Sequence, residues 1–140
     1  MTAFPVFLSR VSAGFPSPAD DFIEQTLDLN EYLVPHPSAT FFLRTSGDSM
    51  QNAGIFSGDL LIVDRSLTPR NNDIVVAALN GELTLKRLCQ RQRQWQLVAE
   101  NSAYPPIPLS TGETAAEPQV DLTIWGVVAY NIHPFKRAHT

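Results

Sequence analysis

The chain has 140 residues, a net charge of −4 and a hydrophobic fraction of 44%, which is enough for one domain with its own core. This charge argues against a nucleic-acid-binding surface over the whole protein. The single cysteine, Cys89, excludes an internal disulfide and a CxxC zinc site, and we expect it to be buried or half-buried. No apolar run approaches the roughly 18–20 residues that cross a bilayer, and the first residues do not resemble a signal peptide. A cytoplasmic protein is therefore predicted.

The front of the chain is predicted to be an extended arm that contains a short helix. Residues 1–16 contain two prolines and a glycine without a sustained period, which indicates irregular structure. The Ser-Pro pair at 17–18 suits a helix start, and the apolar side chains between positions 22 and 27 would share one helix face. Five acidic and no basic residues lie between positions 14 and 31, typical of a solvated face or of an acidic docking arm. We assign residues 1–38 to this arm.

From residue 39 the pattern becomes that of short β-strands, and a mainly β core is expected over residues 39–140. An Asn-Gly pair at positions 80–81 joins two apolar runs, the signature of a type I′ hairpin. Residues 101–118 contain four prolines and are expected to form a loop. The predicted strands are 39–45, 60–63, 74–79, 82–88, 95–99 and 121–130.

Ser49 is the candidate nucleophile, although a serine in a glycine-containing turn is usually structural. It follows Gly47 and Asp48 directly after the first long strand. A Ser-His-Asp triad is not expected, because one histidine precedes a proline and the other two lie near the C-terminal end; these are His36, His133 and His139. The aspartates at 48, 59 and 64 lack metal-ligand spacing and are interpreted as turn and cap residues. The sequence predicts neither a metal nor a cofactor.

Lys86 is the remaining candidate base. The hairpin register places it opposite Val75, on the return strand. It could be an exposed lysine that protects a sheet edge, or a desolvated lysine that loses its proton and activates a serine. It also begins a basic run with Arg87, Arg91 and Arg93, beside Trp95, which leaves a local nucleic-acid contact as a third interpretation.

Taken together, these segments resemble the UmuD family, the self-cleaving accessory subunits of SOS translesion DNA polymerases, within the LexA-like Ser-Lys peptidases. The resemblance is almost continuous over residues 15–50, which end in GDSM, and over residues 58–88, which end in LTLKRL. The segments ENSAYPPI at 100–107 and IWGVV at 124–128 are also similar. The resemblance implies the LexA/UmuD-like fold of short strands and hairpins.

The resemblance also assigns the site. The family's nucleophile falls on Ser49 and its general base on Lys86, with the cleaved bond at Ala13–Gly14. The oxyanion would be stabilised by the backbone N–H groups of Asp48 and Ser49.

The partners implied by the resemblance are a second copy of the chain, a RecA filament on single-stranded DNA that stimulates cleavage, and a UmuC-like Y-family DNA polymerase. Only 13 residues precede the expected cleavage site, too few for the DNA-binding domain of a LexA-like repressor. Direct DNA binding and membrane association are not expected. The alternative to an enzyme is a polymerase-binding subunit with a vestigial dyad.

Overall fold

The computed structural model describes residues 3–7, 23–109 and 122–136. The chain divides into two compact units, Met1–Pro35 and His36–Thr140. The expected cleavage site at Ala13–Gly14 lies outside the described residues, as does the predicted helix start. None of the helices in the described ranges has both the length and the apolar character needed to span a bilayer.

The first unit contains a two-stranded antiparallel sheet and one short helix. Strand β1, Phe4–Phe7, pairs with strand β2, Ile23–Leu27, and helix α1 spans Leu29–Leu33. The carboxylate of Asp28 caps the helix by accepting the Asn30 N–H at 2.9 Å.

Two predictions for this unit are wrong. Residues 4–7 form a strand where an irregular arm was expected, and residues 23–27 form a strand where a helix face was expected. The physical reason is non-local, because each segment provides the main-chain hydrogen-bond partner of the other. A short helix does occur in this unit, but it spans Leu29–Leu33, outside the segment predicted to be helical.

The second unit is a seven-stranded antiparallel sheet, and the prediction of a mainly β fold of short strands is confirmed. The strands lie in the spatial order β3-β4-β9-β5-β6-β7-β8. Their bounds are β3 Thr40–Arg44, β4 Leu60–Asp64, β5 Ile74–Leu79, β6 Glu82–Arg91, β7 Gln94–Val98, β8 Ile107–Pro108 and β9 Leu122–Ile132.

The β5–β6 hairpin confirms the predicted register. Leu79 pairs with Glu82, and Val75 pairs with Lys86. Asn80 and Gly81 have φ values of 51° and 84°, as a type I′ turn requires at both central positions.

Strand β8 lies where a loop was expected. It is only two residues long, and it forms because Ile107 and Pro108 pair with β7. A proline is compatible with this position, since β8 is an edge strand of the sheet.

Two buried apolar clusters lie on opposite faces of β5, the middle strand of the sheet. Val76 belongs to the first cluster, whereas Val75 and Ala77 belong to the second, because successive side chains of a strand face opposite sides. Cys89 is buried, as expected. The first cluster contains Met50, Ile55, Leu61, Val63 and Val76.

Gly126 on β9 marks a close approach of two strands. A Cβ atom at this position would lie 2.7 Å from Cγ1 of Val63 on β4 and 3.3 Å from the Asp64 carbonyl oxygen. The β9 register with β5 also shifts at this point, between the partners of Val76 and Ala77. A residue without a side chain is therefore needed for β4 and β9 to pair here.

We expect Gly126→Ala to destabilise the protein by about 1–3 kcal/mol, the usual cost of overpacking a close-packed interior. The measurement is urea unfolding followed by circular dichroism. Val63→Ala removes the colliding methyl groups, so the double variant should be more stable than the sum of the two single effects predicts. Strict additivity of the two substitutions would contradict the proposed contact.

Candidate active site

Ser49 lies in a tight turn that follows β3. Gly47 has a φ of +87°, in the left-handed region that favours glycine, so the chain can reverse direction immediately before Ser49. The next residue, Met50, is only 2% exposed and packs into the first cluster. Met50 therefore anchors the turn, while Ser49 itself remains half-buried.

Lys86 lies on β6, between β5 and β7, and its side chain is only 8% exposed. The interpretation as an exposed lysine at a sheet edge is therefore wrong. No ion pair to Lys86 is found among the described residues. Burial lowers the pKa of Lys86 below the ordinary lysine value, because desolvation disfavours the charged ammonium.

A pocket of about 200 Å³ joins the Ser49 turn to β6. Its wall includes Ser49 and Met50 from the turn, and Thr84 and Leu85 from β6. Leu85 also packs against the cluster that contains Met50. The residue after Ser49 and the residue before Lys86 thus share one apolar cluster.

Tyr104 provides a second connection between the Ser49 turn and β6. Its hydroxyl donates to Asp48 Oδ1 at 2.8 Å, and Nζ of Lys86 lies 5.5 Å from the centroid of its ring. No role was predicted for Tyr104 from the sequence. The available signal was its place within ENSAYPPI, one of the segments that carry the family resemblance.

Two backbone donors beside Ser49 are unpaired within the described part of the chain. Neither the Asp48 N–H nor the Ser49 N–H donates a hydrogen bond to another described residue. Unpaired N–H groups next to a serine hydroxyl can stabilise negative charge on a substrate oxygen.

The basic run does not form a continuous surface. Lys86 is buried, and Arg87 is engaged by the carboxylate of Glu100 and by the Asn72 carbonyl oxygen. Only Arg91 and Arg93 remain exposed. This arrangement does not favour the interpretation as a nucleic-acid contact.

His36, Asp64 and Ser66 meet at a separate place, without the geometry of a catalytic triad. His36 Nδ1 lies 2.7 Å from Asp64 Oδ2 and 3.1 Å from Ser66 Oγ, whereas a triad uses the two histidine nitrogens for the two partners. The Ser66 hydroxyl instead donates to Asp64 at 2.6 Å. Burial alone would raise the pKa of Asp64, but hydrogen bonds from Ser66 and His36 outweigh it and lower that pKa.

A second buried carboxylate, Asp59, binds the end of β9 and the residue that follows this strand. Asn131 Nδ2 donates to it at 2.8 Å, and His133 Nδ1 lies 2.5 Å from it. Burial alone would raise the pKa of Asp59 as well. The hydrogen bonds that its carboxylate accepts outweigh this effect and lower the pKa, and the Phe56 N–H makes the largest contribution among them. Both Asp59 and Asp64 accept backbone N–H groups of turns, as expected. Each also binds a histidine that lies far away in the sequence.

Within the described ranges, no group of acidic, histidine and cysteine side chains is arranged to hold a metal ion.

Comparison with known proteins identifies the family of this chain. Residues 5–129 match the family model described as Peptidase S24-like. The chain is 47% identical over 129 residues to Protein ImpA of Escherichia coli, a match that covers 92% of this chain and 83% of that protein. It is 46% identical over 134 residues to Protein MucA of Escherichia coli, covering 94% and 87% of the two chains.

A more distant type of relative is LexA repressor 1 of Geobacter sulfurreducens. The identity is 45% over 103 residues, covering 74% of this chain and 50% of the repressor. These matches place the mainly β chain in a class of serine peptidases. The chain belongs to the Peptidase S24-like family, and the identification as a UmuD-like, LexA-related member is confirmed.

Proposed function

We propose that this serine peptidase cleaves its own Ala13–Gly14 bond, with Ser49 as nucleophile and Lys86 as general base. The observation that carries the proposal is a buried lysine that has no counter-ion among the described residues and whose amine lies 5.5 Å from the ring of Tyr104, the tyrosine that binds Asp48 beside Ser49. A lysine in such surroundings gives up its proton more readily than one in water. In this proposal residues 1–38 supply the substrate arm, and residues 39–140 form the peptidase core.

The reaction is an acyl transfer. Neutral Lys86 takes the proton of the Ser49 hydroxyl while Ser49 Oγ attacks the carbonyl carbon of Ala13. The N–H groups of Asp48 and Ser49 stabilise the oxyanion that forms. Lys86 then gives the proton to the leaving amine of Gly14, and water hydrolyses the ester on Ser49. Gly14 has no Cβ, which allows the chain to approach the nucleophile closely.

The proposed biological role is that of a UmuD-like protein of the SOS response in the cytoplasm. A RecA filament on single-stranded DNA stimulates cleavage by favouring the cleavable pose of the arm. The processed protein, a homodimer, serves as the accessory subunit of a Y-family translesion polymerase in error-prone repair. Support comes from the family membership and from the resemblance of the segments around Ser49, Lys86 and Tyr104.

The non-enzymatic alternative is less well supported. A lysine buried without a counter-ion costs stability, and an apolar side chain of similar size would avoid that cost. The presence of this lysine in an otherwise apolar strand environment favours a functional base over a vestigial one.

We expect purified protein incubated with RecA, single-stranded DNA and nucleotide to yield two fragments. N-terminal sequencing of the large fragment should read Gly-Phe-Pro-Ser, starting at Gly14. Gly14→Glu should block the cut, because a charged side chain replaces the hydrogen that permits close approach of the chain to Ser49. Gly112→Glu, in the predicted loop, is the matched control and should be cut like the wild type. A different new N-terminus would reject the assigned bond, and an uncut chain under these conditions would reject self-cleavage.

A further inference from the structure

We propose that Tyr104 is a positioning residue of the peptidase site, which holds the Ser49 turn with its hydroxyl and covers the Lys86 amine with its ring. The inference rests on the proposed function of Ser49 and Lys86. Tyr104 itself takes no proton in the reaction and acts only through its two neighbours.

The hydroxyl of Tyr104 holds the residue before the nucleophile. It donates to Asp48 Oδ1 at 2.8 Å. The Asp48 carboxylate raises the pKa of Tyr104 above its ordinary value, through the hydrogen bond and through its charge, so the phenol remains a donor. A protonated tyrosine can therefore hold Asp48 throughout the neutral and mildly alkaline range.

The loop that carries Tyr104 is attached to the Ser49 turn at two further points. Asn101 Nδ2 donates to the Asp48 carbonyl oxygen at 3.0 Å, and the Asn52 N–H donates to the Glu100 carbonyl oxygen at 2.9 Å. Asn101 Oδ1 also accepts the Ala103 N–H at 3.0 Å, which shapes the turn that leads into Tyr104. Attachments on both sides of Ser49 limit the movement of the nucleophile relative to this loop.

The ring of Tyr104 lies beside the base. Its centroid is 5.5 Å from Nζ of Lys86, close enough to exclude water from one side of the amine. A ring face also attracts the charged ammonium, but the pKa of Lys86 is lowered, so the loss of hydration outweighs this attraction. The ring thus favours the neutral lysine that the reaction needs.

The strands beside Lys86 place no counter-charge next to its amine, which also favours the neutral form. Strands β5 and β7 contribute no titratable group, and the carboxylate of Glu100 is taken by Arg87. The titratable or charged groups on the elements next to Lys86 are Glu82, Arg87, Cys89 and Arg91 on β6, Glu100 and Tyr104 on the following loop, and Asp48 on the Ser49 turn.

Two substitutions separate the hydroxyl from the ring. Tyr104→Phe keeps the ring, so the rate of RecA-independent self-cleavage should fall about fivefold, the effect of one ordinary hydrogen bond, with an unchanged pH midpoint. Tyr104→Ala removes both parts. Its rate should fall further, and its midpoint should rise by about half a pH unit or more as water reaches Lys86.

The experiment measures the rate of self-cleavage of the full chain against pH, with folding checked by circular dichroism. Tyr130→Phe, which removes the hydroxyl of a tyrosine on β9 outside the site, is the matched control and should match the wild type. A wild-type rate in folded Tyr104→Phe overturns the positioning role, and an unshifted midpoint in folded Tyr104→Ala overturns the covering role. Should Tyr104→Ala fail to fold, Tyr104→Leu keeps an apolar side chain but removes the ring. The Lys86 pKa measured by NMR in Tyr104→Leu/Ser49→Ala then decides: a value above that of Ser49→Ala supports covering by the ring, and an equal value overturns it. A wild-type chain that does not cut, or a Ser49→Ala chain that does, refutes the proposed function instead.

Discussion

Ser49→Ala, Lys86→Ala and Lys86→Arg are each expected to reduce self-cleavage by at least about 10³-fold while the fold is retained. Alanine at position 49 removes the attacking oxygen, and alanine at position 86 removes the group that accepts its proton. Arginine keeps the positive charge and much of the length of the lysine. It should still be inactive, because a guanidinium does not give up its proton in this pH range. The measurement is the rate of fragment formation, with and without the RecA filament.

The double variant Ser49→Ala/Lys86→Ala should be no slower than either single variant, because the two side chains act as one unit. Lys136→Arg and Ser57→Ala are matched controls at exposed positions and should cut at the wild-type rate. Circular dichroism establishes that each variant is folded. A folded Lys86→Arg chain that cuts Ala13–Gly14 near the wild-type rate would contradict the Ser-Lys mechanism.

RecA-independent cleavage is expected to rise about tenfold per pH unit and to level off once Lys86 is mostly neutral. An ordinary lysine with a pKa of about 10.4 is only about 0.04% neutral at pH 7, too little for an efficient base. Burial lowers the pKa of Lys86, so the plateau should begin below the pH at which an exposed lysine titrates. A rate that does not change with pH, or that levels off only near the ordinary lysine pKa, would contradict a desolvated base.

The same lowered pKa links stability to pH. Between the folded and the unfolded pKa values of Lys86, the unfolded chain binds one proton more than the folded chain, so the free energy of unfolding rises with pH across this window. Lys86→Met has a similar length and no titrating group. It should remove this part of the pH dependence and be more stable than the wild type at pH 7, although it cannot cut. Urea unfolding at several pH values measures both effects, and a Lys86→Met chain less stable than the wild type would contradict the cost assigned to the buried amine.

Patterns that depend on neighbouring residues were readable from the chain. The Asn80-Gly81 turn specifies both the hairpin and its register, because few residues adopt the two positive φ values that this turn requires. The pairing of Val75 with Lys86 followed from that turn by counting. Short apolar runs predicted the larger strands of the sheet for similar reasons.

Features that depend on distant partners were not readable in the same way. The strand at 23–27 forms because it pairs with residues 4–7, and its local pattern alone fitted a helix. The environment of Lys86 also remained open. Whether a lysine on a strand is exposed or buried depends on the strands beside it, and only the sheet order places β6 between β5 and β7.

Residue types and spacing thus determined the hairpin that carries Lys86, and the family resemblance of the sequence assigned Ser49 and Lys86 as the candidate pair. Tertiary structure decided that Lys86 is desolvated and that Tyr104 connects it to the Ser49 turn. It also decided that His36 serves Asp64 and not a nucleophile. The physical reason is that burial, pKa and hydrogen-bond partners are properties of the surrounding atoms, which come from segments far apart in the chain and meet only when the sheet has formed.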